Sequence, residues 1–377
     1  MSQEGAVRLL FVSAMGAWAG SAVSAQPAQP QAFPARAVVP DVPRVGYDVH
    51  LCPFPGSLYA VMGFLGEPCG YDYTMGTSGA AFRRIWNRDD GGNVDLMYLA
   101  PEPYERVFAA LGYEFRVVPG DDKAAMIQAV RESIAAGRPV LGFVLVGPPE
   151  RGVITGYDKD GETLVGWSYF QEGPKDQYCE VPDWFQRAAS HSGQGLILVG
   201  DKKREMPDQR EVLISSLKWV IDLARTSERP TIPDHVCGLA AYDAWADGLE
   251  VDEDYPADDF ETMSTRCMVH CDQCVMLHER LSAAAYLRLM GPEVPEVMDH
   301  LEAAAGHYED AAACGKGLWR WASWDDPATQ RAFADREFRV QAAKSIRAAR
   351  DHEALAVEDL EQALAELEPP DAAQAHR

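Results

Sequence analysis

The chain has 377 residues, 47% of them hydrophobic and 24% charged, which suits a folded protein of about two domains and excludes a fibre or a multi-span membrane protein. Its 34 Lys+Arg against 58 Asp+Glu leave a net charge of −24. A field of that sign repels phosphate backbones and anionic lipid, so neither nucleic acid nor a membrane surface is expected as a partner.

Residues 1–25 read as an export signal: Arg8, an apolar run over Leu9–Val23, and small residues before a cleavage point after Ala25. The run is too short for a comfortable membrane span, so no integral span is expected once the signal is removed. The expected location is periplasmic or secreted, with the cytoplasm as the alternative. Residues 26–43 read as a Pro/Ala-rich linker. The eight cysteines would be thiols in a cytosolic chain; in an exported one they could pair in 105 ways.

Elements then follow in order. Gly56–Leu65 predicts a short apolar helix with Cys52 just before it. Tyr71–Trp86 holds a turn entering a helix. Glu102–Leu111 predicts a helix stopped by Gly112, and Tyr113–Val118 a strand. Lys123–Ala136 predicts a helix and Pro139–Val146 a buried strand. Val153–Tyr157 and Thr163–Trp167 flank Asp158-Lys159-Asp160-Gly161, a hairpin signal. Gly195–Gly200 predicts a last strand. Beyond residue 203, apolar positions recur every 3–4 residues, predicting helices near 208–227, 237–250, 260–290, 294–322, 327–350 and 352–368. The fold class expected is α+β over 44–202, followed by an all-α domain over 203–368 and a disordered tail over 369–377.

A thiol at a helix N-terminus feels unpaired N–H groups and the positive end of the dipole, which lowers its pKa and suits a nucleophile. A core cysteine, or a disulfide to Cys69, is the plainer reading of Cys52. The run Cys52-Pro-Phe-Pro-Gly-Ser-Leu-Tyr-Ala-Val-Met-Gly-Phe-Leu-Gly66 resembles the nucleophile helix of papain-like domains related to bacteriocin leader (double-glycine) peptidases. It is most similar to the butirosin biosynthesis protein H N-terminal family. Tyr71–Phe82, Gly147–Asp158 and Leu164–Gln171 resemble further segments of that family, and Gly238–Trp245 extends the likeness into the helices.

The resemblance implies a papain-like thiol hydrolase or acyltransferase acting through Cys52 on a peptide, amide or thioester-type substrate. It also implies a His at the start of the strand ending in Thr-Gly-Tyr-Asp and an Asp or Asn on the next strand. Here those places hold Glu150 or Arg151, and Trp167 or Ser168. Glu150 is therefore the candidate base, with His191 and His50 as imidazole alternatives. Ser78, Trp167 and Tyr169 are the candidate substrate-binding residues. The missing imidazole motivates a second expectation, a catalytically degenerate papain-like domain that binds a peptide or small molecule.

Cys267, Cys271, Cys274 and His278 fall on one helical stripe. Thiolates with an imidazole suit zinc or another soft metal, which motivates a third expectation of a metal-binding or redox helical domain. Offsets 0 to 11 span about 16 Å at 1.5 Å per residue, so one helix cannot wrap all four around one ion. Cys237, Cys314, His300 or His307 would have to complete the shell. The plainer reading is a stripe of small hydrophobes facing a core, and no cofactor is required. Trp319, Trp321 and Trp324 suggest core packing or an aromatic groove.

Overall fold

A computed structural model describes residues 32–67, 69–89, 102–148, 150–190, 195–318 and 326–368. The expected export signal, the C-terminal tail, His191 and the tryptophans at 319, 321 and 324 lie outside the described residues.

The first half builds one antiparallel sheet and the helices that cover it. In chain order it runs β1 (Ala37–Val38), α1 (Pro53–Phe64), α2 (Tyr71–Ser78), β2 (Ile85–Trp86), α3 (Glu102–Leu111), β3 (Tyr113–Val118) and α4 (Lys123–Ala135). Then come β4 (Val140–Phe143), β5 (Arg151–Asp158), β6 (Thr163–Trp167), β7 (Cys179–Val181), α5 (Trp184–Ser190) and β8 (Leu196–Lys202). The strand order is β3-β8-β4-β5-β6-β7, with β1 on the far half of β5. Every described pairing is antiparallel. Strands β4 and β6 are buried along their whole length, and β5 to its last residue. Continuous apolar runs rather than alternation follow from cover on both faces. Helices α1 and α4 both pack against these strands. Asp122 caps α4 by accepting from the Ala125 amide at 2.9 Å, and Gly137 follows it at φ 72°.

The second half is helical: α6 (Gln209–Arg225), the short strand β9 (Val236–Cys237), α7 (Gly238–Leu249), α8 (Phe260–His278), α9 (Arg280–Met290), α10 (Met298–Cys314), α11 (Pro327–Ala334) and α12 (Arg336–Leu367). Two expectations differ from this. The helix expected over 260–290 is interrupted at Glu279, and the break expected at 350/352 falls instead at Asp335. Asp335 caps α12 by accepting from the Glu337 amide at 2.9 Å. Nothing in Arg350-Asp351-His352 breaks a helix, so α12 runs through it.

The boundary expected near residue 202 is not a break in packing. From Pro34 onward the chain forms one compact unit. One apolar core joins Phe54, Leu58 and Ile154 of the first half to Leu213, Tyr286, Leu301 and Leu360 of the second. Each such side chain contributes about 1.5–3 kcal/mol on burial. The small strand β9 pairs with β2, Ile85 opposite Cys237 and Trp86 opposite Val236, tying the halves through the backbone as well.

Buried charges hold the same junction. Arg280 donates to Glu353 at 2.6 and 2.9 Å, with both side chains sealed from solvent. Its remaining N–H groups reach the carbonyls of Ala81, Phe82 and Arg83. Tyr242 donates to the same Glu353 at 2.5 Å and accepts from Arg84 at 3.0 Å. Arg83 pairs with Glu279 at 3.0 Å, also fully buried. The density of hydrogen bonds in this network is what makes such burial tolerable.

Candidate functional site at the N-terminus of α1

Cys52 is the N-cap residue of α1, in extended conformation (φ −97°, ψ 114°), with Pro53 opening the helix. Proline suits that position because its missing N–H would have had no partner there. The first turn of α1 lies against the start of β5: Ser57 Oγ donates to the Arg151 carbonyl at 3.3 Å. The sequence thus places a thiol at a helix end, and the sheet places the beginning of β5 beside that helix.

Around Cys52 stand aromatic rings. The Tyr71 hydroxyl accepts from the Cys52 amide at 3.2 Å, and the Tyr169 hydroxyl donates to its carbonyl at 3.4 Å. His50 stacks on Tyr71 with ring centroids 4.0 Å apart, and Tyr59 closes on His50 edge-on at 5.1 Å. Burial pushes the His50 pKa down and the Tyr71 pKa up. Gly56 lies so close to the Tyr169 hydroxyl and His50 that a side chain there would collide with them. Cys52 itself has no exposed surface.

Tyr47 stands, partly exposed, at the edge of this assembly. It packs edge-on against Tyr169 at 5.1 Å and Phe170 at 5.4 Å, and its hydroxyl hydrogen-bonds Glu150. Burial, then the Glu150 charge, raises the Tyr47 pKa. Its neighbour Asp48 is gripped by both nitrogens of Arg44 at 2.9 Å and by Lys175 at 3.0 Å. The turn presenting Glu150 is itself constrained. Val144 sits at φ 54° and its amide donates to the Glu150 carbonyl at 2.9 Å. A β-branched residue in that region costs on the order of 1–3 kcal/mol.

The remaining expected site residues separate clearly. Arg151 is buried and donates to the Gly195 carbonyl at 2.8 Å and the Tyr104 hydroxyl at 3.1 Å, a bracing role. Trp167 is buried and donates to the Val42 carbonyl at 2.9 Å. Ser168 donates to the Val146 carbonyl at 3.2 Å. Ser78 is sealed at the end of α2, its hydroxyl donating to Met75 and accepting from Ala80, each at 3.3 Å. So of the expected substrate-binding trio, Tyr169 adjoins Cys52, while Ser78 and Trp167 serve the fold. Tyr47 was not anticipated. Its place five residues before Cys52 is the only signal the sequence offered.

Cys267, Cys271, Cys274 and His278 all lie on α8. Cys267 and Cys274 are buried in the core made with α7, α10 and α12, whereas His278 is exposed. Burial pushes the Cys267 and Cys271 thiols up to about 12, and Cys274 well above its ordinary value. The ligand atoms of these four do not gather three at a time around one point. The buried thiols Cys267 and Cys274 behave as small apolar side chains. The eight cysteines, all among the described residues, form no disulfide.

No protein-family model matches the chain, and a comparison with curated proteins finds no match. The residues and their geometry therefore carry the functional reading.

Proposed function

We propose that this is a papain-like thiol hydrolase or acyltransferase with Cys52 as nucleophile, acting on a peptide, amide or thioester-type substrate. The observation that supports it is a thiol at the N-terminus of α1 with the start of β5 held against the same helix through Ser57 and Arg151, which brings Glu150, the residue before β5, to that side of the sheet. A helix N-terminus favours the thiolate, and its amides can stabilise a developing oxyanion. Glu150 would accept the thiol proton and return it to the leaving group. Tyr47 engages Glu150 and packs on Tyr169, whose hydroxyl holds the Cys52 carbonyl. Substrate entry requires the Tyr47 ring to leave its seat on Tyr169 and Phe170.

A second reading is favoured by one specific observation, the complete burial of Cys52. In that reading the domain binds a peptide or small molecule without turnover. Alkylation with iodoacetamide, mapped by mass spectrometry on the native protein, separates the two. The enzyme reading expects Cys52 to react faster in Tyr47→Ala than in the parent, and faster there than Cys271 or Cys314. Absence of Cys52 labelling in both proteins would favour the binding reading.

A further inference from the structure

We propose a divalent transition-metal site on the helical face formed by His307 and Asp310 of α10 and His352 of α12, separate from the Cys52 chemistry. One ligand atom from each of these side chains lies within 4.8 Å of the others. The rings of His307 and His352 face each other at 6.1 Å between centroids. His352 Nδ1 is 3.8 Å from Asp310 Oδ2. Two ligands held about 2.0–2.2 Å from one tetrahedral ion stand about 3.4 Å apart. A contraction of the order of an ångström closes the set, and Asp310 is exposed and turns readily.

Two further observations point to a ligand. The Nδ1 atoms of His307 and His352 are both buried and make no hydrogen bond among the described residues. Unsatisfied buried nitrogens cost free energy that a bound ion would offset. On the other side of the ring, His307 Nε2 faces the Asp359 carboxylate at 3.8 Å. That separation is too long for a hydrogen bond, but a small closure would let the carboxylate orient the ring, the usual support of a metal-bound histidine. The spacing supports this too: His307 and Asp310 are one turn apart on α10, and α10 packs along α12. Two imidazoles and a carboxylate suit zinc, cobalt or nickel and leave a coordination position for water or a substrate group.

The test uses the full chain, stripped with chelator and titrated with Co²⁺ and then Zn²⁺. One equivalent of Co²⁺ is expected, with weak visible bands and no intense sulfur-to-cobalt absorption, displaced by Zn²⁺. His307→Gln and His352→Gln should each weaken binding at least about tenfold, and Asp359→Asn about tenfold, with unchanged circular dichroism. The proposal is overturned by no uptake, by a thiolate spectrum, or by affinity unchanged in both histidine variants. The cobalt spectrum of the parent protein decides the ligand type even if a variant fails to fold.

Discussion

His270 shows what burial does to a single titratable residue. It lies in the core of the helical half, accepts from Trp245 Nε1 at 3.2 Å, and packs edge-on against Phe333 at 4.7 Å. Burial lowers its pKa from 6.5 to about 3. The unfolded chain therefore takes up this proton first as pH falls. The stability tied to the neutral ring is full above pH 6.5 and is lost progressively between 6.5 and about 3. The loss approaches about 1.4 kcal/mol per pH unit within that window. His270→Gln keeps an acceptor for Trp245 but does not titrate. In urea unfolding, the parent should lose stability relative to this variant between pH 7 and pH 5. A difference that stays constant with pH would refute the assignment. The sequence does not mark His270 as buried, because burial is decided by Trp245 and Phe333 at distances of 25 and 63 residues along the chain.

Elements with their own local signals were legible from sequence. Helix α3, strand β3 and the β5–β6 hairpin fall where periodicity, Gly112 and the Asp158–Gly161 turn put them. The interruption between α8 and α9 was not legible, for a tertiary reason. Glu279 is no helix breaker; it sits between the two helices, buried against Arg83 from the other half of the chain. The Arg280–Glu353 pair next to it makes a testable point about how elements are joined. Glu353→Gln leaves a buried guanidinium without its counter-charge and should cost about 3–5 kcal/mol in urea unfolding. Replacing both partners together, Arg280→Met with Glu353→Leu, should cost less than the single change. A loss in the double variant equal to the sum of the losses in Arg280→Met and Glu353→Leu alone would mean that the pair is not coupled.

At the scale of the whole molecule, the expected count of two domains meets a core shared by both halves, beside a second cluster within the helices. Leu213, Tyr286 and Leu360 from the helical half pack with Phe54 and Ile154 from the sheet half. The chain from Pro34 onward should therefore unfold in one cooperative calorimetric transition. A fragment ending at residue 202 should lack the near-ultraviolet dichroism of a fixed core. Two separated transitions, or a folded fragment, would show that the halves are independent after all. The sequence could not show this, because both halves carry enough apolar residues to suggest cores of their own, and partner choice between surfaces is not written in either one.

By itself the sequence determined the α+β succession, the acidic balance, and the thiol at the head of an apolar helix, since each depends on neighbours within a few positions. It also carried the absence of a histidine at the head of β5. Only the tertiary structure decided that the Tyr71 and Tyr169 hydroxyls hold the backbone of Cys52, and that Cys267 and Cys274 of α8 are buried in a core. It alone brought His352 beside His307 and Asp310. Those arrangements join residues tens to more than a hundred positions apart, and packing, not local propensity, selects them.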